Sequence, residues 1–191
     1  MSDGGGSAPK RILIGGGVRS GKSALALRLA RRLGLRRVFV ATAQGLDEEM
    51  RRRIAQHRQD RGTDFATIEE PLELPSVVER VTDADVVVVD CVTLWLSNLL
   101  LRGDDEAAIL KRVDRLVDVV QAARFHFVAV TNEVGMGVHP EHVLGRAFRD
   151  VAGRTHQRLA VCANEIYFAA LGVMLRLRPP PLTSAPFEED A

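Results

Sequence analysis

Cysteine and lysine are both scarce in this chain of 191 residues. The two cysteines, Cys91 and Cys162, lie in apolar surroundings and lack the short spacing of a metal site. Two cysteines are also too few for a disulfide framework, so we expect reduced core residues, as in cytoplasmic proteins. Only three of the 26 basic side chains are lysines, at Lys10, Lys22 and Lys111. A lysine in such an arginine-rich chain is therefore informative where it falls in a motif.

An excess of charge of one sign and a long uninterrupted apolar run are also missing. The formal net charge of +1 gives no general case for binding nucleic acid or an acidic membrane. The most apolar stretch, residues 86–101, is interrupted by Asp90 and Asn98, so it predicts a strand and a buried helix rather than a membrane span. Residues 1–7 lack the apolar core of a signal peptide. We expect a cytoplasmic globular protein with no membrane span and no nucleic-acid partner.

Strands and helices alternate in the predicted secondary structure. Apolar runs predict strands at residues 11–14, 37–42, 85–90, 125–131, 165–170 and 173–177, with a possible further strand at 65–70. Helical patterns fill the intervals at residues 24–30, 47–61, 74–80, 92–101, 106–123 and 141–162. This alternation indicates an α/β fold with a mainly parallel sheet and helices on both faces. The last two strands are close enough to pair as a C-terminal hairpin.

One domain is the simplest interpretation of the chain length, and we see neither an internal repeat nor a second domain. We expect the domain to span residues 11–178. A flexible glycine-rich leader at 1–10 would precede it, and a flexible proline-rich, acidic tail at 179–191 would follow it. Within the domain, Asp47 is placed to cap the helix at 47–61. A four-residue repeat assigns the buried side of that helix to Leu46, Met50 and Ile54, and a polar stripe to Glu49, Arg53, His57 and Arg61.

Residues 16–23, with the sequence GGVRSGKS, fit the phosphate-binding loop pattern of Gly, four residues and Gly-Lys-Ser. A predicted strand enters the loop and a predicted helix leaves it, as the chemistry requires. In such a loop, backbone N–H groups face phosphate oxygens, Lys22 binds the β- and γ-phosphates, and the Ser23 hydroxyl ligates Mg²⁺. The simpler alternative is a glycine-rich turn before an ordinary helix. Lysine favours the first interpretation, because a compact ammonium fits between phosphates where a planar guanidinium does not.

Asp90 and His57 are further candidates. Asp90 ends an apolar strand downstream of the loop, where an acid holds Mg²⁺ in nucleotide hydrolases and kinases. A strand-end turn or a helix cap is the alternative. His57 lies among arginines that could bind phosphates, and a neutral imidazole can act as a nucleophile. The residues alone favour the alternative, because a lone histidine on a polar, arginine-rich helix face is usually a solvated surface residue. Because ligands bind beyond the carboxyl ends of parallel strands, we expect the loop, residues 42–44, Asp90 and residues 132–133 at one edge of the sheet.

Several other segments accompany the loop in a fixed order. They are ATA at 41–43, DEEM at 47–50, Arg53-Ile54 with His57 and Arg61, TIE at 67–69, VDCVTLWLSNLL at 89–100, TNEVGMG at 131–137, and residues 146–157 with FRD and GR. From about residue 11 to about residue 177, this order and spacing resemble the bifunctional adenosylcobinamide kinase/adenosylcobinamide-phosphate guanylyltransferase family of cobalamin biosynthesis. The NEVG segment combined with the Arg-Ile…His segment is far more specific than a phosphate loop alone.

The resemblance implies a RecA-like P-loop fold, a homotrimer, and two reactions on a small-molecule corrinoid. ATP or GTP phosphorylates adenosylcobinamide, and GTP then transfers GMP to that phosphate through a guanylylated histidine. The matching histidine is His57, and Lys22 is the second catalytic residue. Ser23 and Asp90 would hold Mg²⁺. The nucleotide contacts carried over are Gly16, Gly17, Val18, Arg19, Ser20, Gly21, Lys22, Ser23, Thr42, Ala43, Gln44, Arg58, Gln59, Asp60, Arg61, Glu69 and Asp90.

Two other functions remain compatible with the phosphate loop alone. One is a P-loop kinase of a different small molecule, with His57 merely on the surface. The other is a regulatory protein that uses the loop as a conformational switch. The segments at 53–61 and 132–137 favour the bifunctional transferase over the other kinase. The short chain disfavours the switch, because a regulatory protein is expected to carry a partner-binding domain.

Overall fold

Seven strands and six helices alternate along residues 8–179, the part of the chain that this computed structural model describes. The strands are β1 (Arg11–Gly16), β2 (Arg37–Ala41), β3 (Ala66–Glu69), β4 (Val86–Asp90), β5 (His126–Val130), β6 (Glu165–Ala170) and β7 (Val173–Arg178). The helices are α1 (Lys22–Leu33), α2 (Glu48–Arg61), α3 (Leu74–Arg80), α4 (Val92–Arg102), α5 (Glu106–Ala122) and α6 (Val143–Cys162). Residues 1–7 and 180–191, which make up most of the expected leader and tail, lie outside the described residues.

One sheet holds all seven strands in the order β3-β2-β4-β5-β1-β6-β7. Every neighbouring pair is parallel except β6 and β7, which form the predicted antiparallel hairpin. The two residues of its turn, Leu171 and Gly172, have φ values of 52° and 80°. Two central residues with positive φ are typical of the tight turns whose twist matches a hairpin. The expected α/β fold with a mainly parallel sheet and a C-terminal hairpin is confirmed.

The valines of β4 show why helices cover both faces of the sheet. Successive side chains of a strand point to opposite faces. Val87 and Val89 pack into a core with side chains of α3, α4, α5 and α6, whereas Val86 and Val88 pack with side chains of α1. A central strand that is apolar at every position therefore serves two cores, as expected in a parallel sheet.

Two details of the helices differ from the prediction. The last long helix begins at Val143 rather than at residue 141, with His142 at its N-cap. On α2, Asp47 caps the first turn as predicted, accepting a hydrogen bond from the Met50 backbone N–H at 2.7 Å. The assignment of residues to its buried side is wrong at the N-terminal end. Leu46 is 71% exposed because it precedes the cap and lies off the helix.

Arg61, assigned to the polar stripe of α2, is only 5% exposed. Its guanidinium carbon lies 4.1 Å from the centroid of the Phe39 ring. A cation over an aromatic face is attracted by the ring quadrupole, and the arginine stem packs on apolar surface at the same time. The end of α2 is thus fixed on β2 by an arginine. No helix between residues 8 and 179 combines the length and apolarity needed to cross a membrane.

Candidate active site

A cleft of about 650 Å³ lies at the carboxyl ends of the parallel strands. The phosphate loop, α1, α2 and the residues that follow β2, β4 and β5 line it. Open α/β sheets bind ligands at this edge. The expected convergence of the loop, Ala43, Asp90 and Asn132 is therefore present. Of the predicted nucleotide contacts, Gly16, Gly17, Thr42, Gln44 and Gln59 do not line the cleft.

The glycines at the two ends of the loop are required by geometry. Gly16 has a φ of +139°, and a Cβ there would lie 2.5 Å from the backbone oxygen of Ala169 on β6. Gly21, the N-cap of α1, has a φ of 86° in the left-handed region. Only glycine adopts such conformations without strain. The chain consequently turns sharply off β1 and enters α1, so the N–H groups of the first helical turn face the loop, as in anion-binding helix starts.

Lys22 is the first residue of α1 and is only 6% exposed. Its ammonium donates hydrogen bonds to the Gly17 carbonyl oxygen and, at 3.1 Å, to Ser20 Oγ. Burial lowers the pKa of this amine, and the nearby Asp90 carboxylate opposes that shift. The charge of Lys22 is therefore held within the loop, where phosphate oxygens of a nucleotide would meet it.

Asp90 ends β4, which β5 separates from the loop-bearing β1. Its Oδ2 atom is buried and has no hydrogen-bond partner among residues 8–179. A buried carboxylate oxygen without a partner is costly, so this atom fits a cation ligand. The Ser23 side chain lines the same cleft. In the described residues, no three His, Cys, Asp or Glu side chains form a metal-binding group. Mg²⁺ suits such a site, because it is usually held by one or two protein oxygens together with phosphates and water.

Buried polar side chains join the ends of three strands behind this edge. Thr42 is fully buried, and its hydroxyl exchanges two hydrogen bonds with the backbone of Cys91, at 2.7 and 2.8 Å. The Asn132 amide donates to Thr93 Oγ1 at 3.1 Å. Because these bonds cross from β2 to β4 and from β4 to β5, they fix the backbone on which Asp90 stands. The backbone of Thr42 is occupied as well, since its N–H donates to the Asp90 carbonyl oxygen and its carbonyl oxygen accepts from the Asn98 amide. The expected nucleotide contact of Thr42 is therefore not available in this structure.

Helix α2 closes the opposite side of the cleft. His57 is half-buried there, four residues after Arg53, and both side chains line the cleft. Arg58 forms an ion pair with Glu69, the last residue of β3. The buried Arg61 has a lowered pKa, chiefly because of desolvation and then because of the neighbouring Arg58. The sequence placed Arg53 in the arginine cluster around His57 and Asn132 at the ligand-binding edge of the sheet, but it assigned neither residue a nucleotide contact. The spacing of four residues between Arg53 and His57 indicates that both side chains lie on one face of the helix.

Positive charge dominates the lining of the cleft. Six arginines and Lys22 face three carboxylates, those of Asp60, Glu69 and Asp90. The arginines are Arg19, Arg28, Arg31, Arg53, Arg58 and Arg61. An excess of cations in a concave site attracts and neutralises a polyanion such as a nucleoside triphosphate. A phosphate loop between β1 and α1, an acid at the end of the next strand but one in the sheet, and a cationic cleft together define a P-loop nucleotide-binding α/β protein.

Comparison with known proteins narrows this class. The family model described as cobinamide kinase / cobinamide phosphate guanyltransferase, CobU, matches residues 12–177. The chain belongs to this family. The family resemblance predicted from the sequence motifs is thereby confirmed, and the P-loop fold agrees with it.

The curated relatives match over nearly their whole length. A protein of Pseudomonas aeruginosa, named bifunctional adenosylcobalamin biosynthesis protein CobP, is 42% identical over 173 residues, covering 90% of this chain and 99% of the relative. The protein of Escherichia coli named bifunctional adenosylcobalamin biosynthesis protein CobU is 38% identical over 180 residues, covering 87% and 99%. Among solved structures, the PH0250 protein of Pyrococcus horikoshii superposes with a TM-score of 0.54 at 10% identity, covering 90% of this chain and 87% of that one. At this identity the structural similarity concerns the fold alone.

Proposed function

We propose that this enzyme catalyses two successive reactions in one cleft. In the first, ATP or GTP phosphorylates the hydroxyl of the aminopropanol arm of adenosylcobinamide. In the second, GTP transfers GMP to the new phosphate, which yields adenosylcobinamide-GDP and pyrophosphate. Family membership supports both reactions. The observation that carries the proposal is the cleft itself, because it contains a phosphate loop and, across from it, the histidine of α2.

The phosphate loop would hold the triphosphate in both reactions. Backbone N–H groups of residues 17–23 and the Lys22 ammonium bind its β- and γ-phosphates. The remaining predicted contacts that line the cleft would hold the guanosine part, namely Ala43, Arg58, Asp60, Arg61 and Glu69. In the kinase reaction the substrate hydroxyl attacks the γ-phosphorus in line, and the bond to the β,γ-bridging oxygen breaks. The contribution of the protein is positioning and charge neutralisation, both of which the loop and the arginines provide.

His57 would serve only the second reaction. A lone pair of its imidazole forms a bond to the α-phosphorus of GTP, and pyrophosphate leaves. The phosphate of the corrinoid then attacks the same phosphorus and displaces the imidazole. A covalent intermediate thus divides one transfer between two anions into two in-line steps. Incubation with α-labelled GTP and Mg²⁺ tests this mechanism, since acid-labile label on the denatured protein is expected from neither alternative function.

Ser23 and Asp90 would hold Mg²⁺, which would neutralise negative charge on the triphosphate. We expect Ser23→Ala and Asp90→Ala each to raise the barrier of both reactions by roughly 3 kcal/mol, or about a hundredfold in rate. Each variant should also lose the Mg²⁺ dependence of its GTP affinity, which a binding titration with and without Mg²⁺ measures. Asp118→Ala, on the exposed face of α5, is the matched control. Parent-like rates and Mg²⁺ dependence in either variant would contradict its metal role.

We also propose that the enzyme is a cytoplasmic homotrimer. Met136 and Val138 are 81% and 94% exposed in the loop after β5, and Leu175 is exposed on the edge strand β7. Covering such side chains is favourable, so they suit contacts between subunits. The free thiols of Cys91 and Cys162 suit a reducing compartment. A mass of about three times 20.9 kDa in light scattering is expected, and the mass of a single chain would contradict the trimer.

A further inference from the structure

Arg53 is one of the six arginines of the cleft and has no specific role in either reaction as proposed above. It lies on α2, four residues before His57, and residues with this spacing are neighbours on one face of a helix. Both side chains line the cleft together with Lys22 and Ser23. A cation is therefore held beside the proposed nucleophile, on the side of α2 that faces the phosphate loop.

The neighbouring arginines of α2 are already bound to partners. Arg51 donates to the Gly45 carbonyl oxygen at 3.1 Å, Arg52 pairs with Glu48, and Arg58 pairs with Glu69. Arg53 has no ion pair and no side-chain hydrogen bond among residues 8–179. Its charge nevertheless reaches the loop, because it contributes to the lowered pKa of Lys22. Arg53 and Lys22 are cations that line one cleft and share no carboxylate partner, so they suit an anionic ligand that binds both.

We propose that Arg53 is a further catalytic residue, which binds the β- and γ-phosphates of GTP opposite Lys22 and stabilises the departing pyrophosphate. This proposal rests on the function proposed above. A guanidinium suits the task, because its planar N–H groups can bind two phosphate oxygens at once. The loop and α2 would then hold the triphosphate from two sides, with the α-phosphorus directed at His57.

The charge that Arg53 stabilises arises in one step only. A ring nitrogen of His57 donates its lone pair to the α-phosphorus, and the bond from that phosphorus to the α,β-bridging oxygen breaks. The electron pair of the broken bond leaves on pyrophosphate, while the proton on the other ring nitrogen stays on the imidazole. In the later step, a phosphate oxygen of the corrinoid forms a bond to phosphorus, and the electron pair of the N–P bond returns to the imidazole. Pyrophosphate is absent from that later step, so Arg53 is not required for it.

Single-turnover kinetics with α-labelled GTP test the first step. We expect Arg53→Gln to slow guanylylation of the protein roughly a hundredfold, as when one group that stabilises a developing anion is removed. Arg53→Lys should recover part of the rate, because it keeps the charge and loses the planar fork. Arg52→Gln is the matched control, since Arg52 is the adjacent arginine but does not line the cleft. Its rate should equal that of the parent.

Two further measurements separate phosphate binding from a general structural effect. Arg53→Gln should weaken binding of GTP and of pyrophosphate about tenfold or more and leave the affinity for GMP unchanged. Once slowly guanylylated, the same variant should transfer GMP to corrinoid phosphate at the parent rate. An equal loss in both transfer steps, or an unchanged ratio of GTP to GMP affinity, would overturn the assignment. If the parent protein itself carries no acid-labile GMP, the function proposed above fails instead, and the affinity ratio still decides whether Arg53 contacts the outer phosphates.

Discussion

Substitution of His57 by alanine is expected to abolish GMP transfer from GTP while phosphorylation of adenosylcobinamide continues near the parent rate. Displacement of pyrophosphate through a covalent intermediate needs a nucleophile at the α-phosphorus, and loss of a covalent nucleophile costs on the order of a million-fold in rate. The described part of the chain offers no obvious replacement. Burial raises the pKa of the Cys91 thiol to about 11, so this thiol remains protonated at neutral pH. His156 does not line the cleft, and its Nε2 lies 2.8 Å from Thr131 Oγ1.

The kinase reaction should survive this substitution because it needs no imidazole. Phosphoryl transfer needs a triphosphate held by the loop, Mg²⁺ and an in-line hydroxyl, and none of these depends on His57. Two assays on each variant are required, one for phosphorylated corrinoid and one for acid-labile GMP on the protein. His142→Ala, an exposed histidine at the start of α6 and outside the cleft, controls for loss of a histidine as such. The mechanism is wrong if His57→Ala carries acid-labile GMP at the parent level. Loss of both activities in a folded variant would mean that α2 also shapes the kinase site.

The sheet and the phosphate loop are the parts of the molecule that its sequence predicts best. Four consecutive valines before Asp90 leave no polar face, so only a central strand covered on both sides accommodates them. The loop pattern likewise combines a strand end, a helix start and a lysine within a few residues. In both places local pattern and tertiary structure agree, because burial on two faces and phosphate binding each impose a strict residue order.

The orientation of helix α2 could not be predicted from the sequence. Its helical repeat was visible, but its orientation depends on a contact between Arg61 and the Phe39 ring, far apart in the chain. An arginine is normally assigned to solvent, so the pattern did not predict that Arg61 is buried. Because the orientation of α2 was not known, the sequence also left open whether His57 acts in the site or lies on a solvated helix face. Only the packing of α2 on β2 shows that His57 and Arg53 line the cleft.

The hydrogen bonds of Thr42 and Asn132 behind the site could not be predicted from the sequence either. Thr42 was expected among the nucleotide contacts, yet its side chain binds the backbone after β4. The partners are separated by about fifty positions in the chain, and no local pattern relates them. Hydrogen bonds of this kind are set by strand order, because only neighbouring strands bring such groups together. Their effect is indirect: they fix the backbone from which Asp90 reaches the cleft.

Substitution of Lys22 by alanine should impair both reactions together, in contrast to the separation expected at His57. Both reactions use a triphosphate held by the same loop, and the Lys22 ammonium is the buried cation within it. Loss of one such group costs roughly 3 kcal/mol of barrier, so we expect each rate to fall about a hundredfold or more. The two assays described for His57 measure this effect, together with the affinity for GTP.

The choice of substitution matters because Lys22 is buried and donates to the loop backbone at Gly17. Lys22→Met keeps most of the bulk of the side chain and removes its charge, so it separates loss of the cation from loss of packing. Lys22→Arg should not restore activity, since a planar guanidinium does not fit where a compact ammonium binds between phosphates. Lys111→Ala, an exposed lysine on α5, is the control. If Lys22→Met lost only the kinase reaction and still formed guanylylated His57 at the parent rate, the two reactions could not share one triphosphate site. The second nucleotide would then have to bind elsewhere among the arginines of the cleft.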